Sequence, residues 1–392
     1  MKKHYIVYSS QLSMEPNSAH EIHDVLCANS VANLNYSTAI IYPDTKRKSV
    51  NPLEWLYPFS LQTPSQKFIE FYNTDELLKT APLPIPFFLE KFQTKILNPS
   101  HAIYKYYLPY HVFPVTEIIH TRDWNCVKAA IKAQIPVIYE CHYFQDKPFE
   151  PEIVNSPFFK LAITQAELIR ESVIQTGMPP EKSVWLHNGF SQSFLNRHLE
   201  DAQKWRNELL KNGRQSLVVY SGALYPFKGV NLLIDVAKIL SDIQFVVTGG
   251  TEEQVNSYRK IAQDKQVKNI NFLGWILPFS RVNSLLQAAD VLAHPHCSGK
   301  SANFTNPLKF FQYMASGTPI AITEIPPLME FRNTPIISGW CEPDNPHSFA
   351  DCLQWVIKNY PRKAEGYKEN IEFSSQYTYE GRAAKILSYI NL

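Results

Sequence analysis

Short runs of β-branched and aromatic residues alternate with helical segments along most of these 392 residues, and that alternation restricts the chain to parallel sheets with helices on their faces. Tyr5 to Tyr8 reads as a buried strand, Ala19 to Ala32 as a helix with apolar spacing, and Ser37 to Tyr42 as the next strand. A strand, helix and strand this closely spaced imply a right-handed crossover between parallel neighbours. Residues 43–114 break the rhythm with prolines and a dense set of aromatics. They are too aromatic to be disordered and read as an insertion with short helices, Ile85 to Lys95 among them. Its bland role is a satellite core. Its sharper role is an acceptor platform or a membrane-facing patch over residues 85–113, with Lys91, Lys95 and Lys105 meeting headgroups.

The alternation resumes at Val115 with strands at Glu117–His120, Pro136–Glu140, Leu161–Thr164 and Ser183–Leu186. A second series follows at Ser216–Ser221, Ile243–Thr248, Asn269–Leu273, Asp290–Ala293 and Thr318–Thr323. The organisation read from this is two Rossmann-like, doubly wound α/β domains, 1–190 with its insertion at 43–114 and 191–375, plus a C-terminal helix in 376–392 returning to the first domain. No GxGxxG follows the first strand, which counts against a dinucleotide redox enzyme.

In open parallel sheets ligands bind beyond the carboxyl ends of strands. The polar clusters there are His120-Thr121-Arg122-Asp123, Glu140-Cys141-His142 and His187-Asn188-Gly189. His142 and Asp123 are thus candidates for the same cleft, and His120 and Arg122, with His20 at the start of the first helix, are acceptor-binding candidates. Near the other end, Asn306-Pro307 writes a helix start twice, through an N-cap side chain and a proline at the first helical position. The free amides of Leu308 and Lys309, with the positive end of the helix dipole, offer a socket for an anion such as a diphosphate. His294, His296 and Cys297 are too few for a zinc site, and His296 is expected to line the cleft beside the 299–305 loop.

Apolar residues make up 45% of the chain and charged residues 19%, with a net charge of +2 and no basic block. This composition gives no reason to expect nucleic acid. The six cysteines are scattered without a close pair, as suits reduced thiols. The expectation is a cytoplasmic protein, peripheral to the inner face of the membrane if the aromatic insertion rests there.

Ser221-Gly222 with Lys228-Gly229, Thr248-Gly249-Gly250, Asn271 to Trp275, Ala289-Asp290-Val291 and Pro307-Leu308-Lys309 through Pro319 together resemble the donor domain of family-four retaining glycosyltransferases of the GT-B fold. The likeness extends to Val137 to His142, Asn188-Gly189 and Tyr379-Glu380-Gly381-Arg382-Ala383, and is weak over residues 43–114. It implies two Rossmann-like domains facing across a cleft, a UDP- or GDP-sugar held by the C-terminal half, an acceptor held by the N-terminal half, and neither metal nor other cofactor. It further implies that Lys228 contacts the phosphates and acts in catalysis, that Gly222, Gly249 and Gly250 border the donor, that Gly274 and Trp275 lie against the base, and that His142 approaches the donor sugar, with Asp123 an acid in the same cleft. The sequence departs from the family where an arginine is replaced by Ala223 and where paired glutamates correspond to Phe304 or its neighbour and to Gln312. Gln312 can still bond a ribose hydroxyl, and either Asn303, Thr305 and neighbouring amides replace the missing contact to the sugar, or the donor is unusual, or catalysis has been lost. The departures leave two alternatives in play, a non-catalytic binding relative and a nucleotide-sugar epimerase of the same fold.

Overall fold

The computed structural model describes residues 3–13, 19–91, 99–300 and 308–391. The chain divides into two units, one running to His187 and resuming at Tyr379, the other Asn188–Thr378.

The first unit is built on seven parallel strands: β1 (His4–Tyr8), β2 (Thr38–Ser49), β3 (Lys79–Pro86), β4 (Thr116–Thr121), β5 (Val137–Cys141), β6 (Phe159–Thr164) and β7 (Ser183–Trp185), in the order β3-β2-β1-β4-β5-β6-β7. Ile6, Ile40, Ile119, Ile138 and Ala162 are wholly buried in its centre, each large aliphatic side chain contributing about 2–3 kcal/mol by leaving water. The first helix, Ala19–Asn33, packs against β1, β2 and the C-terminal helix Tyr379–Tyr389.

The insertion is only partly outside this sheet. Where a helix from Ile85 to Lys95 is expected, Lys79–Pro86 form the edge strand β3 and the helix begins at Phe87, described as Phe87–Lys91; the rest of that expectation lies outside the described residues. Pro82, Pro84 and Pro86 alternate along β3. Alternate residues of an edge strand turn their amide positions away from the sheet, so prolines cost no ladder bond there. The prolines that read as breakers therefore mark the edge. Further on, Ile103, Tyr107, Leu108, Val112 and Phe113 are buried, so much of this segment is the satellite core. Val50, Leu53, Leu56, Tyr57, Phe87, Tyr106 and Tyr110 remain exposed.

The second unit repeats the winding. Its strands are β8 (Leu217–Ser221), β9 (Gln244–Thr248), β10 (Ile270–Gly274), β11 (Val291–His294), β12 (Ile320–Thr323) and β13 (Ser338–Cys341), ordered β10-β9-β8-β11-β12-β13. In both units the order reverses beside the first strand, between β1 and β4 and between β8 and β11. Such switch points open a ligand crevice at the carboxyl ends of the strands.

Candidate functional site

At the carboxyl edge of the first sheet, Glu140 is buried on β5, and its carboxylate collects four donors. His23 Nε2 and His142 Nε2 lie 2.6 and 2.9 Å from Oε2. His120 Nε2 and Arg382 Nη1 each lie 2.9 Å from Oε1. Behind them, the Tyr379 hydroxyl is 3.0 Å from His23 Nδ1, the Tyr5 hydroxyl is 2.9 Å from His120 Nδ1, and Arg382 Nε donates to the His187 carbonyl at 3.1 Å. Burial pushes the Glu140 carboxyl up, but the Arg382 charge, His23 and the bonds from His120 and His142 outweigh it and hold the group well below the usual carboxylate range. Burial depresses His23 to about 4 against the pull of Glu140, and His142 to about 3. Both imidazoles are neutral at neutral pH.

Of the residues expected here, His142 is at the end of β5 as read from the sequence. His120 is buried with both ring nitrogens engaged. It belongs to the Glu140 network, not to an acceptor surface, because its ring has no polar atom left to offer. Asp123 caps the helix Trp124–Lys132: Oδ1 accepts from the Cys126 amide at 2.9 Å and Oδ2 from the Tyr104 hydroxyl at 2.8 Å. A doubly engaged cap is a poor catalytic acid, and the expectation for Asp123 is revised accordingly. His20 is exposed at the start of the first helix, 3.9 Å from Glu21. Arg122 is partly buried, and its Nε has no hydrogen-bond partner among the described residues. Its charge opposes the burial that pushes the Asp24 carboxyl up to about 7, while the Ser9 hydroxyl donates to Asp24 at 2.6 Å.

Glu140 stands in one of the polar clusters that the sequence displays, whereas His23 and Asp24 do not. No face pattern marks them, because nearly every residue from Glu21 to Ala32 is buried, polar ones included. Arg382 was visible only as part of the closing-helix resemblance.

A separate cavity of about 630 Å³ in the first unit lies between Tyr104, Lys105 and Tyr110 on one side and Asn125, Lys128 and Lys132 on the other. Lys128 pairs with Glu150. Lys95 and the Lys91 side chain fall outside what the structure describes.

In the second unit the chain leaves β8 through Gly222 and reaches Lys228 at the end of a 3-10 turn, Pro226–Lys228. Gly229 then takes φ 76°, and a Cβ there would fall 1.7 Å from the Pro295 carbonyl oxygen. Only glycine lets this loop pass so close to the end of β11. That approach carries the Lys228 ammonium to 2.7 Å from His296 Nε2, to which it donates. His294 and His296 stack with centroids 4.0 Å apart, and both are buried. Neither ring nitrogen of His294 has a hydrogen-bond partner among the described residues, nor does His296 Nδ1. Burial lowers His294 to about 3 and holds His296 well below its usual value, so neither competes with lysine for charge.

The helix Leu308–Ala315 is locked to this edge by Tyr313, whose hydroxyl accepts from the Ser221 amide at 2.7 Å and donates to the Ser221 carbonyl at 3.1 Å. Lys309, on its first turn, donates to Gln312 Oε1 at 3.0 Å and lies 6.0 Å from the Phe279 ring centroid. Phe279 meets Trp275 edge-on at 6.4 Å. Burial lowers both Lys228 and Lys309 to about 8. Among the described residues, neither ammonium is in an ion pair with a carboxylate. Gly249 joins the ends of three strands, its amide bonding the Gly274 carbonyl at 2.7 Å while Gly222 donates to Thr248 at 3.0 Å. A Cβ on Gly249 would sit 2.0 Å from the Gly222 carbonyl oxygen. Gly250 is packed under Leu224. Asn303, Thr305 and Asn306, with Pro307 and Phe304, lie outside the described residues.

His23, Glu140 and His142 bring one potential metal-ligand atom each within 4.8 Å of one another. The carboxylate is already shared by four donors, and the Arg382 guanidinium supplies its compensating charge, so the set reads as a proton-bonded network. Cys297 lies with its sulfur 3.8 Å from the Pro226 carbonyl and is less buried than His294 and His296, its neighbours in the sequence cluster.

Residues 201–372 match the family model described as glycosyl transferases group 1. The D-inositol 3-phosphate glycosyltransferase of Corynebacterium glutamicum is 26% identical over 203 residues, covering 48% of this chain and 46% of that protein. An uncharacterized glycosyltransferase of Methanocaldococcus jannaschii is 26% identical over 278 residues, covering 67% of this chain and 72% of that protein. The aligned stretch thus spans less than half the length of the corynebacterial relative. Among solved structures, Anabaena HepE in complex with UDP and glucose has a TM-score of 0.66 at 17% identity, covering 98% of this chain and 99% of that one. A glycosyltransferase of Rickettsia africae has a TM-score of 0.68 at 13% identity, covering 98% of both. At these identities the likeness establishes the GT-B fold.

Proposed function

We propose, from the match of residues 201–372 to the model of glycosyl transferases group 1, that this chain transfers a sugar from a nucleoside diphosphate sugar to a hydroxyl-bearing acceptor with retention of configuration. The observation that carries the proposal is the pair of ammonium groups at the second unit's switch point, whose only hydrogen-bond partners among the described residues are the neutral His296 and Gln312. Two cations held without a counter-charge attract an anion. A diphosphate supplies the charge, and the first-turn amides of Leu308 and Lys309 supply dipoles of the matching sign.

In the proposed reaction the bond from the sugar's anomeric carbon to the β-phosphate oxygen breaks, and the acceptor oxygen bonds that carbon on the same face. The acceptor's proton passes to the departing phosphate. Lys228 and Lys309 stabilise the charge that builds on the diphosphate, work that a divalent cation would otherwise do, and this supports metal independence. Trp275, with Gly249 and Gly274 beside it, is assigned to the base. Gln312, its carbonyl committed to Lys309, offers its amide hydrogens to a ribose or sugar oxygen. His142 is assigned to a substrate hydroxyl, and the acceptor to the first unit, with His20 and Arg122 as contacts. UDP bound by HepE favours uridine among the bases to be tried first.

A peripheral membrane contact extends this reading. Tyr106 donates to the Leu56 carbonyl at 3.5 Å, which ties the exposed Val50, Leu53, Leu56 and Tyr57 to the exposed Tyr106 and Tyr110 beside Lys105. Apolar and basic groups together suit an anionic bilayer surface. Among the described residues no helix is long and apolar enough to cross a membrane. Flotation with anionic but not zwitterionic vesicles is expected, and no flotation with either removes the contact.

The test of the activity is release of nucleoside diphosphate from UDP- and GDP-sugars, with analysis of the product's anomeric configuration. Release that disappears in Lys228→Ala supports transfer. Binding without release points to the non-catalytic alternative, and conversion of the donor sugar without an acceptor points to epimerisation.

A further inference from the structure

Three histidines surround Glu140, and they differ in one respect. Each presents Nε2 to the carboxylate at 2.6 to 2.9 Å. A carboxylate only accepts, so each Nε2 carries a proton. The opposite nitrogen is covered by a tyrosine hydroxyl in two of them, Tyr379 on His23 and Tyr5 on His120. For His142 no hydrogen bond to Nδ1 is made among the described residues, and His142 is the least buried of the three, 9% exposed against 2% and 3%. Its ring meets His23 edge-on at 4.7 Å, and its backbone carbonyl accepts from Gln165 Nε2 at 3.3 Å, so ring and main chain are both held.

We propose that Glu140 and Arg382 are positioning residues that lock His142 in the Nε2–H tautomer, so that Nδ1 faces the substrate as a hydrogen-bond acceptor. Arg382 acts through Glu140: it holds Oε1, leaving Oε2 to the two histidines. Its Nε also grips the carbonyl of His187, the last residue before the chain leaves the first unit, and it stands three residues after Tyr379, where the chain returns. The C-terminal helix thereby fixes a histidine some 240 residues earlier, the separation between Arg382 and Glu140 being 242. An imidazole that can only accept at its open nitrogen selects a ligand group that donates, a sugar or acceptor hydroxyl, and disfavours one that only accepts, such as a phosphate oxygen. This assignment rests on the proposed transfer for the identity of the ligand, but the tautomer stands independently of it.

The test is a histidine ¹H–¹⁵N correlation spectrum of the full-length protein, the His142 signal being the one lost in His142→Gln. The expected result is a neutral ring with its proton on Nε2. A proton on Nδ1, or an imidazolium at neutral pH, overturns the proposal, and neither result depends on any donor binding. Glu140→Gln then gives the functional arm. The amide must turn its hydrogens toward one of the two pairs of donors, so the network cannot keep every tautomer. Turnover is expected to fall by at least about 100-fold, with donor KM and UDP affinity within about twofold of wild type. Arg382→Lys, which keeps a cation beside Oε1, should recover more turnover than Arg382→Met. Equal losses in both, or unchanged turnover in Glu140→Gln, count against the positioning role. Failure of the wild-type protein to bind UDP would instead sink the transferase reading and leave the tautomer measured in the spectrum untouched.

Discussion

The two switch points of this molecule handle charge in opposite ways. In the first unit the charge of the anionic centre is answered: Glu140 is met by three imidazoles and a guanidinium, and those are held in turn by Tyr5, Tyr379 and a backbone carbonyl, although Arg382 Nη2 has no partner among the described residues. In the second, cationic centres are incomplete: Lys228 and Lys309 rest on neutral acceptors, and buried nitrogens of His294 and His296 have no partner among the described residues. A buried carboxylate bonded by four donors fixes their geometry, whereas buried cations without a counter-charge and ring nitrogens without a partner cost about 1–3 kcal/mol each until a ligand or water meets them. The same kind of strand order thus supports a device for orientation in one unit and a device for anion capture in the other.

Breaking the comparison at its cationic side should give the largest effect. Lys228→Ala is expected to lower turnover by about 10³-fold or more, the range seen when a preorganised charge is removed from a transition state, and to weaken UDP binding, both measurable by product release and calorimetry. Breaking the anionic side acts on stability first. Arg382→Met leaves the Glu140 carboxylate buried without its compensating charge and is expected to cost about 3–5 kcal/mol in denaturant unfolding, an effect that an equivalent removal of Lys228 should not show.

The pH dependence sharpens the contrast. A diphosphate prefers the protonated ammonium, and burial has brought Lys228 and Lys309 down to about 8 in the unliganded protein. UDP affinity should therefore be steady below that value and fall as pH rises through it. Affinity independent of pH between 7 and about 9.5 would contradict the role given to these lysines. Gln312→Glu is predicted to have a smaller effect. The new carboxylate pairs with Lys309, reducing its charge toward the diphosphate, and UDP affinity drops by roughly tenfold.

The smallest predicted effect separates a cap from a catalytic acid. Asp123→Ala should lose about 1 kcal/mol of stability and Asp123→Asn much less, with turnover per folded molecule nearly unchanged in both. A loss of turnover in Asp123→Asn without a loss of stability would return Asp123 to the chemistry.

What could be read from the sequence divides along the same physical line. Parallel strands declare themselves as short apolar runs, and those around Tyr5, Val137, Ser216 and Ile320 were legible within one or two residues. β3 was not, because three prolines signal a break unless one knows the strand is at the edge, and edge position is a property of the assembled sheet. Lys228 could be singled out through its spacing to Gly229, but its contact with His296 depends on two loops meeting at the ends of β8 and β11. Asp123 misled because a polar residue after a strand looks alike whether it meets a ligand or caps the next helix. His23, Glu140 and Arg382 come from three distant segments, and no local pattern announces that one carboxylate will join them.

The most direct measurement of the central claim is a calorimetric titration of the wild-type protein with uridine, UMP and UDP in parallel at pH 7. If Lys228, Lys309 and the Leu308 helix capture a diphosphate, affinity rises at each phosphate, with the gain at the second abolished in Lys228→Ala. Equal affinity for all three, or a diphosphate gain that persists in Lys228→Ala, contradicts the account.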